Sequence, residues 1–296
     1  MAKESDEEIK RRVNELVALY SLEPNLKVLF VEGAFDRRFL RWFFREIGRA
    51  DIQVCEVAVV HFANGQLESL GLERSSNKHR VIGLIQMLEN SMSLDNLAVF
   101  GLVDCDSERF LGFKWQSTHL LRTDYTSLEM YFFDAPPIEK FIDLVLHGFP
   151  LNPADLLDQI SPILEMAFCA RLANEQLGWR CDWLDIARHC AVKHSKIEFN
   201  MSVWIERYLH KCARADEDLR RFERTMASFK RQMDADPRHQ MHGHDFVSLL
   251  GYLIVKLKND FGPFRDREIL ERALVGCVQL DFLQDQPLFV RLGEVF

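Results

Sequence analysis

The chain has 296 residues, 48% hydrophobic and 28% charged, enough for one large or two modest cores and too apolar for a disordered chain. Its formal net charge of −8, from 37 basic and 45 acidic residues, excludes nucleic-acid attraction by bulk charge, so any such contact needs a local basic patch. No apolar run reaches the roughly 18 residues of a membrane span, MAKESDEEIKRR is too charged for a secretory leader, and seven cysteines without a CxxC pair favour a reducing, cytoplasmic setting.

Ile9, Val13, Leu16, Val17 and Tyr20 recur at helical spacing and predict an N-terminal helix within 1–25. KVLFV at 27–31 predicts a buried strand. AFDRRFLRWFFREIGR then predicts an amphipathic helix, with Phe39, Leu40, Phe43, Phe44 and Ile47 on one side and Arg37, Arg41 and Arg45 on the other. IQVCEVAVV reads as a second strand, 63–77 as a loop, KHRVIGLIQMLENSM as a helix, AVFGLV as a third strand and STHLLRT as a short fourth. SLEMYFF opens a helical stretch that Pro136-Pro137 is expected to end. Strands alternating with helices argue for a parallel α/β layer, whose strands are apolar on both faces. Helical periods dominate afterwards, at 138–147, 153–177, 181–193, 199–233 and 244–258. The expected division is therefore an N-terminal helix at 1–25, an α/β domain at 26–140 and a mainly α-helical region at 141–296.

Two predicted strands end in acid: Glu32 after KVLFV, and Asp104 with Asp106 after AVFGLV. Sites in open parallel sheets gather at the carboxyl ends of strands. Alternation in an extended DCD would point Asp104 and Asp106 to one side, and neighbouring strands lie about 4.8 Å apart. Converging carboxylates repel, and a divalent cation bound through oxygen alone, Mg²⁺ or Mn²⁺, removes the conflict. The bland alternative makes each acid a helix cap or loop residue.

LFVEGAFDRRFL followed by FGLVDCDSE resembles the TOPRIM domain shared by type IA and type II topoisomerases, bacterial primases and OLD-family nucleases. A glutamate after the first strand and a later DxD are that family's signature, matched here by Glu32, Asp104 and Asp106. TDYTSLEMYFF resembles the stretch after DxD in OLD-like members, which makes Glu129 a further metal ligand by resemblance. SSNKHRVIGLIQML and HGHDFVSLLGYL are similar to a branch of about 300 residues, with a helical second half, that supplies the toxic nuclease of PARIS-type anti-phage systems. The resemblance spans roughly 26–135 with good motifs and is looser beyond. It implies a TOPRIM-like fold and Mg²⁺-dependent endonuclease activity on RNA, tRNA foremost, with Glu32, Asp104 and Asp106 as the catalytic carboxylates. It also implies an OLD-like ABC ATPase partner. No GxxxxGK[ST] motif is present, so any ATP-driven step comes from that partner. A lysine is expected near HGHD, where this chain has His244; histidine steadies a phosphate only when protonated.

The candidate phosphate contacts are Arg37 and Arg41 on the helix after Glu32, Lys78 and Arg80 at the next helix start, and His244. Against each stands a simple solvated surface. His239, His242 and His244 lack zinc spacing, and HGHD reads better as the close of a loop, with Asp245 capping the next helix. Three functions compete: a nuclease that self-associates as a homodimer; a TOPRIM-like module without catalysis that serves as scaffold for an ATPase, or a DNA-cutting OLD-type enzyme; and a topoisomerase or primase, which lacks support in a tyrosine context or zinc domain.

Overall fold

The computed structural model describes residues 10–112, 114–214 and 216–296. They form two compact units. One comprises 10–104, 114–123 and 284–296, the other 105–112 and 124–283.

The first unit is an α/β layer. β1 (Arg11–Arg12) leads into α1 (Val13–Leu22), and the earlier part of the expected N-terminal helix, 5–9, lies outside the described residues. β2 (Lys27–Val31), α2 (Ala34–Glu46), β3 (Gln53–Glu56), β4 (Val60–His61), α3 (Asn77–Ser91), β5 (Ala98–Val103) and β6 (Leu120–Arg122) follow. The main sheet has the order β3-β2-β5-β6, parallel throughout, with Leu29 opposite Val54 on one side and Phe100 on the other. The expected second strand is shorter than IQVCEVAVV. A 3-10 turn at Val57–Val59 ends β3, and β4 turns away to pair in parallel with β1.

Helices cover both faces, which is why these strands are apolar without alternation. Phe100 meets Phe296 at 5.3 Å, and the terminal helix Pro287–Val295 brings Phe289 to 4.7 Å from Phe43 of α2. One residue on, the opposite face belongs to α3. A Cβ built on Gly101 would lie 2.7 Å from Val81 Cγ1 and 2.9 Å from Ile85 Cγ1, so only glycine permits this approach.

The second unit is mainly helical. It contains α4 (Glu108–Leu111), a 3-10 turn at Leu128–Phe132, α5 (Ala135–Leu144), α6 (Pro153–Gln176), β7 (Cys190–Lys193), β8 (Lys196–Phe199), α7 (Met201–Lys211), α8 (Asp216–Lys230), α9 (Gly243–Leu257) and α10 (Arg267–Cys277). Three expectations need correction. Pro136-Pro137 begin α5 instead of ending a helix: they occupy its first turn, where no N–H is needed, and the Asp134 carboxylate accepts the Ala135 N–H at 2.7 Å. Residues 181–193 form no α-helix, only a 3-10 turn at Ala187–His189. CAVK and KIEF pair as an antiparallel hairpin whose two loop residues, His194 and Ser195, both have positive φ, as a primed turn requires. The span 199–233 is two helices, broken where Ala213 enters the left-handed region. The compact units change over between 123 and 124, and 284–296 belongs to the sheet-bearing one. No helix among the described residues is long and apolar enough to cross a membrane.

Gly101→Ala is expected to destabilise the protein by about 1–3 kcal/mol through overpacking against α3. Urea unfolding should show a lower midpoint; an unchanged midpoint would mean α3 shifts on the sheet at no cost.

Candidate functional site

The C-terminal edge of the parallel sheet carries the first two predicted acids. β2 and β5 are neighbours in register, so both end on the same edge. Glu32 follows β2, and its Oε1 accepts the backbone N–H of Asp104, the residue after β5, at 3.0 Å. Lys78, near the start of α3, donates from Nζ to the Asp104 carbonyl at 2.6 Å. Asp104 is thus clamped through its backbone on both sides, by a carboxylate and by an ammonium. Gly33 and Asp36 start α2 beside Glu32: the Asp36 Oδ2 accepts the Gly33 N–H at 3.0 Å and also offsets the positive end of the helix.

The alternation expected of DCD does not occur. β5 stops at Val103, and Asp106 has φ of 46°, a left-handed conformation that aspartate tolerates better than most residues. Its N–H is taken by the Thr126 carbonyl at 2.8 Å, within the second unit. The backbone therefore turns between the two aspartates, and the rule that residues two apart share a side does not apply to them.

The other predicted contacts divide. Arg37 pairs with Glu56, the last residue of β3, at 3.4 Å, while Arg41 is exposed and makes no ion pair among the described residues. Arg80 lies against the protein's own backbone. Its guanidinium donates to the carbonyls of Val60 at 2.9 Å and Val57 at 3.4 Å and lies over the Phe62 ring, fastening α3 to the bend after β3.

In the second unit, Glu129 and His244 do come together, with Nε2 and Oε1 3.7 Å apart. Glu129 is buried, and its strong partner is Arg267, at 2.8 Å. Arg267 also pairs with buried Glu271, so one guanidinium serves two carboxylates. Desolvation lowers the pKa of His244; Glu129 pulls it up, and Arg267 and Arg171 push it down. The cation beside Glu129 is therefore Arg267, and His244 is neutral at neutral pH. Burial, helped by Arg171, holds His242 well below the ordinary histidine range against the pull of Asp106. HGHD needs its glycine for space: a Cβ on Gly243 would lie 2.1 Å from Ser127 Oγ and 2.7 Å from Glu129 Oε2. The cap of α9 is His242, whose Nδ1 accepts the His244 N–H at 3.2 Å, and Asp245 has a different task. It accepts two hydrogen bonds from Arg171, at 2.7 and 2.8 Å, and one from Trp183 Nε1 at 2.9 Å.

Sequence reasoning missed Arg267, Glu271 and Arg171. The spacing of four between Arg267 and Glu271 was a legible pairing signal. Arg171 stood out as a lone cation in the apolar run of α6.

Among the described residues no three His, Cys, Asp or Glu side chains lie close enough to hold a metal ion. Glu32 meets Asp104 through the Asp104 backbone N–H, and both side chains are oxygen donors. That does not suit zinc, which takes three or four protein ligands. It does suit Mg²⁺, which is bound through one or two carboxylates and keeps several waters. No protein-family model matches the chain, and no curated protein matches it significantly.

Arg267→Met is expected to cost about 3 kcal/mol or more, because it strips the buried Glu129 and Glu271 of the guanidinium they share. Adding Glu129→Gln and Glu271→Gln should recover much of the loss in thermal unfolding. Equal melting of Arg267→Met and wild type would show that both acids are neutralised in another way.

Proposed function

We propose that the chain is a TOPRIM-like endonuclease, dependent on Mg²⁺ or Mn²⁺, that cuts RNA, tRNA foremost, as a toxic anti-phage effector held by an ABC-type ATPase partner. One observation carries the catalytic part: the strand-tip Glu32 is bonded to the first aspartate of the DxD, at the C-terminal edge of a parallel sheet. Substrate, dimeric state and partner rest on the resemblance of VEG, DCD and HGHD to that family, and on the lack of a nucleotide-binding P-loop.

In this reading Glu32 and Asp104 hold the ion, and Asp106 completes the acidic motif. A bound divalent ion neutralises charge on the phosphate and makes water a better nucleophile. The chain's own residues do the rest. The Glu32–Asp104–Lys78 clamp fixes the backbone at the strand end and holds the Glu32 carboxylate in place for an arriving phosphate. Glu32 is also the residue this reading assigns as general acid or base. Glu129 is left out of the ion's shell, because recruiting it would strip Arg267 of a buried partner. A second reading, a scaffold subunit without catalysis, is favoured by the absence of a ready three-ligand cluster among the described residues.

The test is cleavage of total tRNA, single-stranded RNA and plasmid DNA in Mg²⁺ or Mn²⁺, with and without a co-expressed ATPase partner. Wild type is expected to cut tRNA only with metal. Glu32→Gln keeps an acceptor for the Asp104 N–H, and Asp106→Gly keeps the left-handed turn, so both should fold, yet each should cut at least about 10²-fold more slowly. Cutting that survives Glu32→Gln puts the active site elsewhere. No cutting by wild type under either condition favours the scaffold.

A further inference from the structure

Four guanidiniums gather on the outer side of α2. Arg37, Arg38, Arg41 and Arg45, with Ala34 and Glu56, line a shallow cleft of about 360 Å³. Four cations against one carboxylate stand out in a chain whose formal charge is −8. Like charges four apart on a helix destabilise it by a few tenths of a kcal/mol per pair, and both 37/41 and 41/45 are such pairs. Arg37 is steadied by Glu56 at 3.4 Å. Arg41 and Arg45 are exposed, and neither makes an ion pair among the described residues. Alternating charge is the usual mark of a simple solvated face, and this row of arginines does not alternate.

We propose that this cleft is the track for the phosphates of one nucleic-acid strand, running along α2 away from Glu32. Three features of the helix support a phosphodiester over an acidic polypeptide. All four residues are arginine, whose planar fork grips phosphate through two parallel hydrogen bonds. Arg37, Arg41 and Arg45 advance by four residues, about 6 Å per step, comparable with the interval between successive phosphates of one strand. The row also starts one turn from the Gly33 that follows Glu32. A strand with its reacting phosphate at Glu32 would lay its next phosphates on Arg37, Arg41 and Arg45. That alignment rests on the nuclease reading; the anion track itself does not.

The test is binding without chemistry. Fluorescein-labelled single-stranded RNA, single-stranded DNA and tRNA are titrated with the full-length protein in EDTA, by anisotropy, from low to physiological salt. Arg41→Gln with Arg45→Gln changes exposed positions only. The pair is expected to weaken binding at least tenfold and to lower the slope of log K against log salt by about 1.4–1.8, at 0.7–0.9 per lost phosphate contact. Arg41→Lys with Arg45→Lys should restore the slope and only part of the affinity. Unchanged affinity and slope in the glutamine variant overturn the proposal. So does competition by polyglutamate at the charge concentration at which RNA competes, which makes the cleft a dock for acidic polypeptide. Salt-steep, arginine-dependent binding by a protein that cuts nothing upholds the track while the nuclease reading fails. Cutting by both proteins with the same KM and salt slope overturns the track while the nuclease reading stands.

Discussion

A single hydrogen bond, from the Asp104 N–H to Glu32 Oε1 at 3.0 Å, links the ends of two adjacent parallel strands. It answers a general difficulty of such sheets. The last N–H groups of a strand have run out of ladder partners, and a half-buried carboxylate needs donors. Placing the acid one residue past the end of β2 solves both. Lys78 completes the arrangement by taking the Asp104 carbonyl, so the turn after β5 starts from a backbone held at donor and acceptor alike. The bond requires β2 and β5 to be neighbours in register, which requires their faces to be covered, which in turn requires α3 to press against Gly101.

The helical unit handles its acids differently. Glu129, Glu271 and Asp245 are all nearly inaccessible, and each is met by arginine: Arg267 for the first two, Arg171 for the third. Buried carboxylates are held this way at a net energy close to zero, but removing the arginine is costly. Such pairs fix geometry. Arg171 ties α6 to α9 and stacks on Trp183 at 3.8 Å, and Arg267 ties α10 to the turn that carries Glu129. Glu129 and Glu32 are both acids just after a structural boundary; Glu32 accepts the Asp104 N–H, and Glu129 is met by Arg267.

Much of the sheet was legible because its signal is local. KVLFV and AVFGLV are unbroken apolar runs, and Glu32 marks where the first of them stops. What failed depended on backbone choices that side-chain patterns do not encode. The alternation rule misjudged DCD because Asp106 enters the left-handed region. Pro136-Pro137 are equally suited to end one helix or begin another, and the Asp134 cap decided between them. The hairpin at 190–199 hid inside a plausible helical period, its turn carried by His194 and Ser195 in place of the glycine or asparagine that announces such turns. Nothing in KHR shows that the Arg80 guanidinium rests, half-buried, on the carbonyls of Val57 and Val60.

Net charge argued against a polyanionic partner, and the arrangement of α2 shows why that inference stops at bulk behaviour. At physiological salt the screening length is about 8 Å. Acids spread over a chain of this size lie mostly beyond that distance from any one contact, so a ligand at the cleft is governed by the four arginines and Glu56. The net charge still weakens long-range steering, which makes capture depend on short-range, bidentate contacts. Arginine in place of lysine on α2 fits that requirement, because its fork holds a phosphate by geometry as well as by charge.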